Sequence, residues 1–314
     1  MAVKNILITG VSGFLGKGLV RYLGSLKDVM LFGHSRDPEK TTSEFQDSRI
    51  TILKNCTTEQ LNAHKIDCII HLAGIAHDLS NQYKPEDYYR VNDENTRQVY
   101  QEFLKSAAQK FIFLSSIKAA VDTASEPVTE TVVCQPVTPY GKSKQQAEVY
   151  IAQQPLPPEK RYYIVRPCMI HGPGNKGNLN LLYKYVTSGL PFPLGAFRNH
   201  RSFLSADNFN FSILQLITQE VESGIYHLAD NGFLSTSELY KIIAGALGKK
   251  GRVLKIPQPL IRLLFGLIGK SAMLHKLTED MMVSNQKLLH QIKEPLPIAI
   301  EDGLRSTIKS FRDS

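Results

Sequence analysis

Short apolar runs alternate along the chain with longer stretches in which apolar residues recur every three or four positions. The runs Val3–Thr9, Val29–Phe32, Ile50–Leu53, Cys68–Leu72, Phe111–Ser115, Tyr162–Arg166 and Ile225–Leu228 predict strands. Lys17–Leu26, Asn95–Ala107 and Tyr140–Gln153 predict helices, the last stopped by three prolines in Pro155–Lys160. Continuous apolar strands joined by helical crossovers predict an α/β fold, with a doubly wound parallel sheet covered on both faces.

After Arg166 the texture changes. Gly172-Pro173-Gly174 opens a polar loop, Leu179–Thr187 predicts a helix, and Pro191-Phe192-Pro193 a turn. Ser235-Thr236-Ser237-Glu238 reads as a capping box and Gly248 as the stop of the helix it starts. A main domain over 1–166 and 203–230 is expected, with a smaller C-terminal substrate-binding lobe over 167–202 and 231–314. The most apolar stretch, Pro259–Gly269, is interrupted by Arg262 and is too short to span a bilayer. It reads as a core helix, with a helix resting on a membrane surface as the alternative.

Composition narrows the class. With 314 residues, 42% hydrophobic and 21% charged, a sizeable core is available and global disorder is excluded. There are 37 Lys and Arg against 29 Asp and Glu, dispersed rather than run together, which favours anionic small ligands over nucleic acid. Cys56, Cys68, Cys134 and Cys168 show neither a disulfide framework nor metal spacing, and the nine histidines add no metal-ligand pattern. No signal peptide is expected ahead of the first strand. A reducing, cytoplasmic setting without a bound metal is therefore expected.

The first strand runs into Gly10-Val11-Ser12-Gly13-Phe14-Leu15-Gly16 and then a helix. In a Rossmann-type βαβ unit this spacing has a mechanical meaning. Gly10 permits the tight turn, Gly13 lets the backbone approach a pyrophosphate, and Gly16 lets helix and strand pack closely. The helix N-terminus then faces the phosphates. The second strand ends Gly33-His34-Ser35-Arg36, without the carboxylate that holds a ribose 2′-hydroxyl. Arg36, assisted by Ser35, suits a 2′-phosphate, so NADP(H) is expected, with NAD(H) as the alternative.

Tyr140 and Lys144 stand four residues apart and share one helix face. A nearby ammonium is expected to lower the phenol's pKa and let it exchange a proton with an alcohol or ketone oxygen. Ser116 follows the buried strand Phe111–Ser115, at the sheet edge where open α/β folds place ligands, and would hydrogen-bond the same oxygen.

At these residues the chain resembles the extended short-chain dehydrogenase/reductase superfamily. The likeness spans nearly the whole chain. It rests on the three loop glycines, His71-Leu72-Ala73-Gly74, Asn92 with Thr96, Ser115-Ser116, Tyr140 with Lys144, Arg166-Pro167 and Gly172-Pro173-Gly174. The resemblance implies Ser116, Tyr140 and Lys144 as the catalytic group and a nucleotide-sugar substrate. It implies a dinucleotide lying along Gly10, Ser12, Gly13, Phe14, Leu15, Gly16, Leu72, Ala73, Gly74, Asn92, Tyr140, Lys144 and Pro167, with Lys144 on the nicotinamide ribose. Members often form homodimers through the helices that correspond to Asn95–Ala107 and Tyr140–Gln153.

The superfamily's 4,6-dehydratases follow the catalytic hydroxyl residue with Asp-Glu; here Ile117-Lys118 follow, which excludes that elimination. Ser115-Ser116-Ile117-Lys118, Lys176-Gly177-Asn178, Pro193-Leu194-Gly195 and Pro259–Lys270 resemble bacterial polysaccharide-pathway reductases. These act on UDP-2-acetamido-2,6-dideoxy-4-hexulose and are related to UDP-glucose 4-epimerases. The resemblance implies hydride addition from NADPH at C4, with Tyr140 as proton donor and Ser116 holding the oxygen. Asn178, Leu179 and Arg201 would meet the UDP diphosphate, and Pro193–Gly195 would flank the uracil. NAD-dependent 4-epimerisation and a non-catalytic dinucleotide-binding scaffold are the competing readings. Three positions stand out. His171 replaces a commoner tyrosine and would alter the sugar pocket, Asn55 replaces an aspartate that contacts adenine, and His77 reads as a loop residue near the sugar.

Overall fold

Seven of the apolar runs form one all-parallel sheet in the computed structural model, which describes residues 4–45, 49–75, 83–175 and 178–312. Strands β1 to β5 are Lys4–Thr9, Val29–His34, Ile50–Leu53, Cys68–His71 and Lys110–Leu114. Strands β6 to β11 are Ala124–Val128, Arg161–Pro167, Met169–His171, Phe203–Ser205, Gly224–Leu228 and Met281–Val283. The sheet order is β3-β2-β1-β4-β5-β7-β10, so the direction of winding reverses between β1 and β4. A crevice at the carboxyl ends of the strands is the geometric result.

Helices α1 to α6 are Phe14–Gly24, Pro38–Glu44, Thr58–Ala63, Pro85–Tyr88, Asn95–Lys105 and Pro139–Gln153. A π-helical turn, Tyr89–Glu94, joins α4 to α5 without a break. Helices α7 to α13 are Asn178–Thr187, Ala206–Thr218, Thr236–Ala246, Gln258–Leu267, Ser271–Thr278, Gln286–Ile292 and Ile300–Arg312.

Side-chain alternation divides the core. Ile6, Ile8, Ile70 and Ile112 point to the face covered by α1 and α8. Leu7, Ile69, Phe111 and Phe113 point to the face covered by α3, α5 and α6. Both sets are fully buried, which is why the strands read as continuous apolar runs. Two buried lysines close helix ends. Lys160 Nζ donates to the carbonyls of Phe103, Ser106 and Ala108 where α5 stops, and Lys110 Nζ to those of Leu216, Ile217 and Gln219 where α8 stops.

A separate apolar cluster gathers residues from α7, α9, α13 and the 192–197 segment. Helix α9 opens with the predicted Ser235/Glu238 capping box, and Gly248 follows its end at φ +67°. Two small pairings stand apart from the main sheet, β11 with β6 and β8 with β9. Helix α10 departs from the core-helix expectation. Only Ile261 in it is buried, because one side of the helix rests on the cluster and the other has no neighbour among the described residues.

Candidate active site

The loop after β1 turns at Gly10, φ +67°, where a Cβ would fall 2.7 Å from the Ala73 amide nitrogen. No other residue fits between these two strand ends. Ser12 and Gly13 are exposed beyond the turn, Phe14 and Leu15 open α1, and Gly16 lies against the carbonyl oxygens of Gly10 and Val11. Helix α1 has no side-chain cap and no acidic residue in its first turn. Its N-terminal amides are thus left for an anion.

The second wall follows β4. His71 is fully buried and bridges two elements. Its Nδ1 lies 2.8 Å from Thr9 Oγ1 and its Nε2 3.1 Å from Thr96 Oγ1. The Ala73 amide donates to Thr9 Oγ1, and Thr96 Oγ1 donates to the Asn92 carbonyl. With its proton given to Asn92, Thr96 Oγ1 accepts from His71 Nε2, and in the neutral ring Thr9 Oγ1 donates to Nδ1. Burial pushes its pKa down to about 3. The π turn aims Asn92 at the Gly74–Ile75 backbone. Asn92 Oδ1 accepts from the Ile75 amide, and its Nδ2 donates to the Ile75 carbonyl and to Ser143 Oγ.

The third wall holds the residues expected to carry the chemistry. Ser115 and Ser116 follow β5, and Ser116 Oγ accepts the Lys118 amide at 3.2 Å, holding a tight turn. Helix α6 lies directly on that turn. A Cβ on Gly141 would collide with the Lys118 carbonyl oxygen, so only glycine beside Tyr140 allows this approach. Tyr140 and Ser116 share a hydrogen bond, and the Tyr88 ring meets the Tyr140 ring edge-on at 6.2 Å. Lys144 Nζ donates to the Leu114 carbonyl at 2.8 Å and sits 4.8 Å from the centre of the Phe113 ring.

The electrostatics differ from the sequence expectation. Desolvation raises the Tyr140 phenol above its ordinary value, with the Ser116 hydrogen bond working the other way. Burial also draws Lys144 down to about 7, so its ammonium is only partly charged at neutral pH. The phenol therefore keeps its proton and is a donor rather than a ready base.

Glu148 is a residue that sequence reading missed. It lies one turn beyond Lys144, fully buried, and receives Arg166 Nε at 2.9 Å and Nη2 at 2.5 Å. Ser115 Oγ donates to the same carboxylate. One buried carboxylate thus ties α6, β7 and the end of β5 together. The signal available was the 140/144/148 spacing on a single helix face.

These residues fit a nicotinamide dinucleotide. A Cβ on Gly74 would come within 2.8 Å of Asn92 Oδ1 and 3.1 Å of Lys144 Nζ, so a space bounded by two polar groups is kept clear there. The Gly10 loop, Leu72–Gly74, Ser116 and Pro167 all lie at carboxyl ends of adjacent strands. At the end of β2, Arg36 is exposed. The Asp37 carboxylate caps α2 through the Lys40 amide, and Ser35 Oγ pairs with Thr41 Oγ1 at 2.6 Å.

A cleft of about 460 Å³ opens beside the Ser116–Lys118 turn, between Lys118, Asp122 and Thr123 and the α11 residues Ser271, Ala272, His275 and Lys276. Arg201 is bound to the same helix, its Nη1 donating to the Lys276 and Glu279 carbonyls. Asn178 opens α7, and the Leu179 side chain belongs to the apolar cluster, leaving only its backbone for a ligand. His171, expected to alter the sugar pocket, is buried against Thr307 of α13, 2.9 Å from that hydroxyl, because β8 turns it inward. His77, Lys176 and Gly177 lie outside the described residues.

A family model described as the NAD dependent epimerase/dehydratase family matches residues 6–229. A UDP-glucose 4-epimerase of Vibrio cholerae is 27% identical over 98% of this chain and 95% of that one. An N-acetyl-alpha-D-glucosaminyl-diphospho-ditrans,octacis-undecaprenol 4-epimerase of Escherichia coli O157:H7 is 27% identical over 84% of this chain and 77% of its own length. The crystal structure of UDP-N-acetylglucosamine 4-epimerase from Bacillus cereus superposes with a TM-score of 0.77 at 20% identity, covering 98% of this chain and 99% of the other.

Proposed function

The chain belongs to the NAD dependent epimerase/dehydratase family, and from that premise we propose that it reduces the C4 ketone of a UDP-2-acetamido-2,6-dideoxy-4-hexulose with NADPH. The product class would be UDP-N-acetyl-quinovosamine or UDP-N-acetyl-fucosamine, for bacterial surface polysaccharide. The observation that carries this reading is the Ser116–Tyr140 hydrogen bond, with a phenol kept protonated and Lys144 against the end of β5. A group that must deliver a proton to a developing alkoxide is best held in that form.

When bound, reduced nicotinamide supplies hydride to the carbonyl carbon. Ser116 Oγ would hold the carbonyl oxygen, and the Tyr140 hydroxyl would pass its proton to that oxygen. Lys144, as its ammonium, stabilises the phenolate left behind. Asn92 and Gly74 would bound the nicotinamide side and the Gly10–Gly16 loop the pyrophosphate. No carboxyl group follows Ser116; Lys118 stands there, its amine on the Asp122 carbonyl and carboxylate. Elimination of water therefore lacks its acid–base pair.

The exposed Arg36, with the Asp37 carboxylate engaged on the Lys40 amide, supports NADP(H). Arg201, with the backbone of Asn178 and Leu179, is assigned to the diphosphate. The same reading includes a homodimer through α5 and α6, which light scattering would test. NAD-dependent 4-epimerisation is the second reading, favoured by the names of the 27%-identical relatives.

One experiment separates the two. UDP-4-keto-6-deoxy-N-acetylglucosamine is supplied with NADPH and, separately, with NADH, and nicotinamide absorbance is followed. Stoichiometric consumption with NADPH preferred is expected. A protein purified with bound NAD⁺ that interconverts UDP-sugars without added reductant would replace the proposal with the epimerase.

A further inference from the structure

Helix α10 is apolar on two sides. Ile261 and Phe265 face the cluster beneath. Leu260, Leu263, Leu264 and Leu267 recur at helical spacing on the opposite side, and each is about half exposed or more, Leu267 at 76%. Ile268 and Met273 continue the exposed strip onto α11. A water-facing helix normally carries polar residues on such a stripe. An exposed apolar strip of this extent marks an interaction surface.

Charge identifies the partner. The basic residues are dispersed along the chain, but the acidic ones are not. Between Glu238 and Glu279 there are eight Lys and Arg and not one Asp or Glu. That excess equals the net charge of the entire protein, +8, so the rest of the chain is balanced. Lys249, Lys250, Arg252 and Lys255 precede the strip and Lys270 interrupts it, all exposed. No helix among the described residues is long and apolar enough to cross a membrane.

We propose that the α10–α11 face docks on an anionic lipid bilayer, the leucine stripe entering the acyl boundary and the flanking cations meeting the headgroups. An apolar stripe alone would fit a second copy of the chain equally well. A surrounding segment of one sign would repel its own image across a twofold interface, whereas it is attracted to anionic lipid. Each basic side chain near such a surface is worth roughly fivefold in partitioning, the ratio that ~1 kcal/mol gives. The cleft beside the Ser116–Lys118 turn is lined by α11, so docking would bring the cleft and the bilayer into proximity. The inference does not depend on which sugar is reduced.

The test is flotation of the full chain with vesicles of phosphatidylcholine alone and of phosphatidylcholine mixed with phosphatidylglycerol. Flotation only with the mixed vesicles, lost as salt is raised, is expected. Leu263→Gln with Leu267→Gln should weaken it at least tenfold while leaving thermal melting unchanged, because both side chains are exposed. Lys249→Gln with Lys250→Gln should weaken it by more than tenfold. Failure to float on mixed vesicles at low salt, or flotation unchanged by the leucine pair, overturns the proposal. A dimer that the leucine pair dissociates, with no vesicle binding, assigns the face to a second copy instead.

Discussion

Glu148 holds the Arg166 guanidinium in a fork, at 2.9 and 2.5 Å, two turns along the helix that carries Tyr140. Both partners are almost fully removed from water. Removing one leaves the other charge uncompensated. Glu148→Ala is expected to cost about 3–5 kcal/mol in urea denaturation, and pairing it with Arg166→Met should recover much of that loss. Full recovery of stability without recovery of turnover would mark the pair as positioning α6 rather than merely supporting it.

The Lys144 amine, drawn down to about 7 by burial, makes stability depend on pH in a definite direction. The unfolded chain protonates this lysine below about 10.4, while the folded chain resists until about 7. The resulting penalty is absent at high pH, grows as pH falls through that window, and is complete below it. Lys144→Met removes it. The variant should gain on the parent by about 1–3 kcal/mol at pH 7, with the gap narrowing toward pH 10, although turnover is lost.

Three buried histidines set the acid limb. Burial holds His71 down to about 3 and His171 and His227 down to about 4. Between about pH 6.5 and 4 the unfolded chain takes up protons at these rings that the folded chain refuses. Stability should fall by on the order of 1 kcal/mol per pH unit for each. Asp230 works in the opposite sense. Burial raises it to about 6, so it binds its proton earlier when folded and offsets roughly one histidine. Replacing Asp230 with Asn should steepen the acid limb of a melting-temperature profile.

Cofactor choice is assigned to Arg36. Charge-assisted contacts to a phosphate are worth about 1.5–3 kcal/mol. Arg36→Ala should therefore raise the KM for NADPH roughly 10- to 100-fold and leave that for NADH little changed. An equal effect on both would remove the 2′-phosphate from the account.

Tyr140→Phe keeps the ring against Tyr88 and deletes only the hydroxyl. Turnover should fall about 10²–10⁴-fold with dinucleotide affinity retained, measured by fluorescence titration. Intact activity would return the protein to the scaffold reading.

The strands were legible because burial on both faces leaves a continuous apolar run, and β1 to β5 fall within two residues of their expected ends. The Gly10 loop and the 140/144 pair were legible because turn geometry and helix periodicity constrain residue type at fixed spacing. Glu148 was not. A charged residue on an amphipathic helix looks solvated until the strand opposite is known to carry Arg166. Helix α10 misled for the converse reason. A sequence shows that residues are apolar, not that only one side of the helix has a neighbour to cover it. The phenol's direction also escaped, since proximity of an amine is readable but the desolvation of both groups is not.

The wide turn at Tyr89–Glu94 holds one more residue than an ordinary helical turn closes around. Excising a single residue there would restore regular winding. Because the turn itself absorbs the extra residue, its removal leaves the flanking helices on their faces and re-aims only the side chains inside the turn. Asn92 would lose its grip on Ile75 while Tyr88 stayed against Tyr140 and Thr96 on His71. A one-codon deletion, silent for the core, would thus dismantle the wall assigned to the nicotinamide.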